Sequence, residues 1–316
     1  MPDLIAQGQQ ADQRWRRSLP PRQPLIIGRE GPWAVSWDRQ VSRSHVEVQW
    51  KHGRLHVRKL SGATNPVFLR GKRKDEFLIK PGEQFVIGAT MFTLADEKVT
   101  IAAEERSPVT EQSYSPDFLQ GLRFRNADER IDVLNRLPQI IADASSETEL
   151  LVRLVSVLMS GIPRASAVAI VVAQRNSEKS DEIDGVRVLQ WDRRVLIDDD
   201  FRPSQRLIAQ AVASGESVVH RFTQSSPEDV EFTLNEDVDW AFCTPITVPA
   251  CRDWAIYVAG KKPTAEALTE SPGEAGQDLQ EDVKFAELVG GMLGSLRQLR
   301  RLERSHASLR QFLSPV

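Results

Sequence analysis

Cysteine is scarce in this chain. Cys243 and Cys251 are the only two, and no Cys-x-x-Cys spacing exists. A disulfide framework and a cysteine-held zinc site are therefore excluded as organising devices. Long apolar runs are missing too. The longest, Ala167 to Ala173, falls far short of the ~20 residues that a membrane-spanning helix needs. Met1 to Arg17 is polar and basic without an apolar centre, so it does not read as a signal peptide. These absences predict a cytoplasmic protein. No nucleophile elbow, phosphate-cradling glycine loop leading into a helix, or histidine–carboxylate metal spacing occurs, so no catalytic constellation is legible.

What is present fits a soluble chain of about two domains: 316 residues, 41% hydrophobic and 27% charged. The net charge of −3 is unevenly spread, with +7 over residues 1–100 and −10 over the remainder. A basic surplus of that size suits an anionic peptide. It is too dispersed to argue for nucleic acid, and the basic run Arg70-Gly71-Lys72-Arg73-Lys74 reads as a solvated hairpin tip.

Residues 1–24 read as a partly ordered N-terminal extension. Residues 25–97 alternate in short β-rich runs: Leu25-Ile26-Ile27, Val46-Glu47-Val48-Gln49-Trp50 and Leu55-His56-Val57-Arg58. Turn residues separate them at Gly31-Pro32, His52-Gly53, Ser61-Gly62 and Pro81-Gly82. This pattern predicts an all-β sandwich. Arg29, Ser42, Arg43 and Asn65 fall just outside strand ends. Arginine presents a planar fork of donors with permanent charge, and hydroxyls and loop amides add neutral donors, so such a set suits an anion. Taken singly, each arginine reads equally well as an ordinary surface residue, and His45 as an interior histidine.

The ordered set Gly28-Arg29, Ser42-Arg43-Ser44-His45, Thr64-Asn65 and Pro81-Gly82 to Gly88 resembles the forkhead-associated (FHA) family, which binds phosphothreonine peptides. The resemblance implies that Arg29, Ser42 and Arg43 face the phosphate and that Thr64 and Asn65 hold the peptide backbone. It implies a bracing role for His45 and a turn at Gly28.

Residues 98–127 read as a linker. Thr110 within it is a candidate phosphorylation site that could occupy the pocket in cis, although an unmodified linker threonine is the plainer reading. Residues 128–277 alternate helical and strand patterns. Ser145-Ser146-Glu147-Thr148-Glu149 is a capping box, and Pro138 is expected to kink or restart the helix before it. The order helix, helix, strand, strand, helix, strands, helix resembles the α/β GAF family of small-molecule sensors. Ile208 to Val219 and Cys243 to Pro249 carry most of that likeness. Its ligand is not identifiable. Cys243 and His220 are candidates for bilin or haem attachment that read better as core. Phe232, Trp240, Phe242 and Trp254 could line a pocket but are more simply core aromatics. Phe232 followed by Glu236-Asp237 reverses the order found in cyclic-nucleotide binders of that family.

Residues 278–316 predict a long helix. Leu288, Met292, Leu299, Leu302, His306, Leu309 and Leu313 form a stripe that predicts a homodimer through residues 285–313. The end, Phe312-Leu313-Ser314-Pro315, resembles the segment preceding the catalytic domain of class III nucleotide cyclases. That implies an output domain, adenylate or guanylate cyclase, outside these residues. The input half of a transcriptional activator or kinase, and a free-standing adaptor, are the competing readings.

Overall fold

The computed structural model describes residues 2–10, 12–96, 98–102, 108–125, 127–142, 144, 146–175, 183–195, 200–222, 238–261 and 274–313. The chain divides into two compact units. The first comprises Met1–Lys98, Ser145–Ser156 and Val195–Phe201; the second comprises Val99–Ala144, Val157–Arg194 and Arg202–Val316.

The first unit holds two sheets. One runs in the order β2 (Arg14–Ser18), β1 (Asp3–Gln7), β11 (Thr90–Ala95), β10 (Gln84–Ile87), β7 (Val67–Leu69) and β8 (Lys72–Arg73). The other runs β4 (Trp33–Ala34), β3 (Pro24–Gly28), β5 (Val46–Lys51), β6 (Arg54–Lys59) and β9 (Glu76–Ile79). Alternate residues point inward, so Val46 and Val48 of β5, Leu55 and Val57 of β6, and Phe85 and Ile87 of β10 fill one core. Phe85 stacks on Phe92 with ring centres 4.8 Å apart. The hairpin tips His52-Gly53 and Arg70-Gly71 have positive φ at both positions, the two-residue turn that matches strand twist.

The N-terminal stretch differs from its sequence reading. Residues 3–7 pair antiparallel with β11 on one side and β2 on the other. Leu4, Ala6 and Leu19 are fully buried and Trp15 nearly so. The buried Arg16 guanidinium meets Asp3 at 2.7 Å. The alternation is short and mixed with arginines, so the local pattern reads as polar. Only the open edge of β11 reveals why the segment becomes a strand.

The second unit is built on one antiparallel sheet, ordered β12 (Thr110–Tyr114), β15 (Ser217–Arg221), β16 (Trp240–Pro245), β17 (Trp254–Gly260), β13 (Ala165–Arg175) and β14 (Ile183–Arg193). The expected linker is therefore not free chain. Thr110 pairs with Arg221 in an edge strand, and α1 (Pro116–Gly121) follows. Only Tyr114 of β12 is buried, which is why an edge strand looks like a linker in sequence.

α2 (Ala127–Ala142) continues through Pro138 without restarting there. α3 (Glu147–Gly161) starts where the capping signal placed it, with the Glu149 N–H donating to Ser146 Oγ at 3.1 Å. α4 (Gln205–Ser214) is capped by the buried Ser204 and ends at Gly215. α5 (Glu274–Leu313) packs on the sheet through Val283, Phe285, Ala286, Val289 and Leu293. Gly290 and Gly294 face Ile246 and Val248, where a Cβ at Gly294 would come within 2.6 Å of Val248. Buried Asp282 joins Arg130 at 2.5 Å and Arg164 at 3.1 Å, tying α5 to α2 and to the entry of β13. No helix among the described residues is long and apolar enough to cross a membrane.

Because β1 lies inside its sheet, removing residues 1–19 should abolish cooperative folding of the first unit and not merely trim it. Loss of dispersed amide NMR signals from residues 24–95 would register this. Retention of a cooperative sandwich by the shortened chain would show that β1 is dispensable.

Candidate functional site

The site begins where β3 stops. Gly28 ends the strand, and a Cβ there would sit 2.0 Å from the Arg43 carbonyl oxygen. The absent side chain lets the loop 38–45 lie along the strand end. Three backbone bonds fix it: Arg29 N–H to Ser42 O at 2.9 Å, Glu30 N–H to Arg43 O at 3.3 Å, and His45 N–H to Ile27 O at 2.9 Å. Arg29 and Arg43 are thereby brought side by side from positions distant in sequence.

His45 is fully buried and braces the loop from beneath. Its Nδ1 accepts from the Ser42 N–H at 3.0 Å, and its Nε2 lies 3.0 Å from the Asn65 carbonyl oxygen. An acceptor at Nδ1 and a carbonyl at Nε2 define one tautomer, neutral with the proton on Nε2. Burial holds its pKa below the usual histidine value, outweighing the Asn65 carbonyl that raises it. A second proton would place an N–H at Nδ1 against the Ser42 amide.

The Thr64 N–H donates to Ser42 Oγ at 3.1 Å. That bond uses the hydroxyl as acceptor and leaves its own proton for another partner. Asn65 Nδ2 donates to the Gln40 carbonyl at 2.7 Å. One side-chain N–H of Asn65 thus steadies the loop, leaving the second N–H and the side-chain carbonyl oxygen. Thr64 is exposed beside it. The five expected contact residues and the two supporting ones converge on one rim of the sandwich.

The two guanidinium groups differ. Among the described residues, that of Arg29 makes no hydrogen bond or ion pair, whereas Arg43 Nε lies 3.3 Å from Glu30 Oε1. Sequence reasoning passed over Glu30. It also missed Asp38, a buried carboxylate at the loop's far end. Asp38 accepts from the Gln40 N–H at 2.9 Å, the Ala89 N–H at 2.8 Å and Thr90 Oγ1 at 2.9 Å. Gly88, with φ of 59°, gives it room, since a Cβ there would lie 2.8 Å from Asp38 Oδ2. A lone aspartate between Trp37 and Arg39 offers no local signal of that role.

In the second unit the candidates Cys243, His220, Trp240 and Phe242 are buried and Trp254 is half-buried. Cys243 is fully buried, and burial pushes its thiol pKa up. Trp240 and Phe242 are buried and stack 6.0 Å apart, and Arg297 covers Trp254 at 4.0 Å. His220 is fully buried, with Nε2 3.3 Å from Glu111 Oε2 but without hydrogen-bond geometry. Phe232, Glu236 and Asp237 lie outside the described residues, as do the side chains of His306, Leu309 and Leu313. Along α5, Leu288 and Met292 are half-buried, while Leu299 and Leu302 are exposed.

No family model matches the chain, and no curated protein does. Solved structures do. The FHA domain of CT664 from Chlamydia trachomatis is 19% identical, covering 30% of this chain and 97% of its own, with a TM-score of 0.26. Rv1747 FHA-1 from Mycobacterium tuberculosis is 18% identical, covering 30% and 97%, with a TM-score of 0.25. A third, from a study of phosphothreonine-dependent FHA domain interactions, is 20% identical, covering 31% and 99%, with a TM-score of 0.25.

The His45 geometry sets a pH dependence. An unfolded imidazole titrates near 6.5, and the folded one is lower, so the unfolded chain takes up its proton first as the pH falls. Stability of the first unit should be full above about pH 6.5 and decline below it. His45→Ala should cost ~2–4 kcal/mol at pH 8, from lost buried hydrogen bonds and a cavity, and should remove that part of the slope. Denaturant unfolding between pH 8 and pH 5 measures both. An unchanged slope in the variant would contradict the assignment.

Proposed function

We propose that the sandwich is a phosphothreonine reader of FHA type. The observation that carries this reading is the unpartnered guanidinium of Arg29, on a backbone segment bonded to Ser42 and Arg43, with the Ser42 hydroxyl proton unspent. A phosphate ester carries close to two charges at neutral pH and accepts several hydrogen bonds, which suits two arginines and a hydroxyl. Thr64 and Asn65 then hold the peptide backbone through the Asn65 groups that the Gln40 carbonyl does not use. Thr110 of the same chain, the candidate occupant in cis, is exposed and pairs with Arg221 in an edge strand.

We infer further that the second unit acts as a GAF-type sensor and that α5 pairs with α5 of a second copy. The element order of the sheet and helices supports the first idea. The exposed Leu299 and Leu302, continuing the stripe from Leu288 and Met292, support the second. Leu288, Met292 and Leu299 border an apolar groove of about 590 Å³, lined also by Pro116, Leu119 and Pro138. In this reading, peptide or small-molecule binding shifts the helix pair by differential affinity and passes the change to an output domain, a nucleotide cyclase by the resemblance of the last residues.

Two measurements test the proposal. The full chain should bind a phosphothreonine peptide pool and ignore the same pool without phosphate. Arg29→Ala should weaken binding ~10- to 100-fold, the worth of one charge-assisted contact; equal affinity for the two pools sinks the phosphoreader. Light scattering should give a dimer mass for residues 1–316 and a smaller mass without residues 296–316. A monomer in both cases refutes the helix pairing.

A further inference from the structure

Glu30 is the one carboxylate that contacts the rim's arginines among the described residues. Its backbone N–H is held to the Arg43 carbonyl at 3.3 Å. Its side-chain Oε1 lies 3.3 Å from Arg43 Nε, with side chains 65% and 76% exposed. The backbone bond keeps the two residues adjacent whatever their side chains do. Of two neighbouring guanidinium groups, then, one is vacant and the other is held by an anion from the chain itself. To a guanidinium, a carboxylate is a singly charged counterpart of phosphate.

We propose that Glu30 is an internal competitor for the phosphate seat. It rests on Arg43 when no peptide is bound and gives up that contact when a phosphate arrives. This rests on the phosphothreonine reading and adds a residue that sets how tightly the seat holds its ligand. Two terms act in one direction. The Glu30–Arg43 pair must be broken, and the displaced carboxylate then stays well inside the ~8 Å over which charges are felt at physiological salt. Glu30 therefore weakens every anionic ligand by a common factor. A phosphate dianion that also engages Arg29 retains useful affinity. A single carboxylate, as in a glutamate placed where the phosphothreonine stands, replaces like with like and falls out of the measurable range.

Because the pair is exposed, the effect is modest. Glu30→Gln should tighten binding of the degenerate phosphothreonine peptide pool by about 2- to 5-fold, the upper range for an exposed ion pair. Glu47→Gln, which removes a carboxylate paired with Arg58 at 2.9 Å on β5–β6, should leave affinity unchanged and so controls for net charge. In an Arg43→Ala background the gain from Glu30→Gln should shrink, since its contact has gone. Fluorescence polarisation on the full chain reads all of these. Equal or weaker binding by Glu30→Gln overturns the competitor, as does an undiminished gain in the Arg43→Ala background. If both wild type and Glu30→Gln fail to distinguish phosphorylated from unphosphorylated peptide, the phosphoreader falls with it. If wild type distinguishes them and Glu30→Gln gains nothing, only the competitor falls.

Discussion

The whole rim hangs on a neutral imidazole. His45 receives the Ser42 N–H on one side and donates to the Asn65 carbonyl on the other. It thereby couples two loops that never pair as strands. Burial keeps the ring uncharged, and the uncharged ring has one donor and one acceptor, as the two backbone groups require. A lysine or glutamine in its place could not present that pair of groups at that angle. Arg43 and Thr64 are exposed and Arg29, Ser42 and Asn65 half-buried, yet the loops that carry Ser42, Arg43, Thr64 and Asn65 are joined by a side chain buried beneath them.

Around this pivot the first unit uses small devices with large leverage. Gly28 permits a backbone approach that any side chain would block. Asp38 anchors the other end of the loop with three bonds at a buried carboxylate, the kind of dense, fully satisfied network that specifies one conformation. Arg43 is left exposed at the surface, where its charge costs little to keep, and Arg29 is half-buried. Glu30 shows that such a surface is not neutral ground: the nearest carboxylate takes a guanidinium by default.

The second unit follows different logic. Its sheet is covered by helices rather than by a second sheet, and Cys243, His220, Trp240 and Phe242 are buried in it. Cys243, Trp240 and Phe242 lie buried in β16 near the centre of the sheet. α5 shows two faces. Val283, Phe285, Val289 and Leu293 are buried, whereas Leu299 and Leu302 stay open to solvent. The glycines at 290 and 294 let the buried face approach the sheet closely, so they serve packing within the unit.

What the chain determines on its own is local. Alternation at period two marked β3, β5 and β6, the Ser146 signal placed the start of α3, and position just outside strand ends singled out Arg29, Ser42, Arg43 and Asn65. Such features are written in neighbouring residues. The tertiary structure decided everything that depends on a partner far along the chain. It made strands of residues 3–7 and 14–18 because β11 offered an open edge, and it drew Thr110 to Tyr114 onto β15 for the same reason. It set Asp38 against residues 89 and 90 and Glu30 against Arg43. An unpaired strand edge or a lone charge is satisfied by whatever the fold brings near, and no short window of sequence records what that will be.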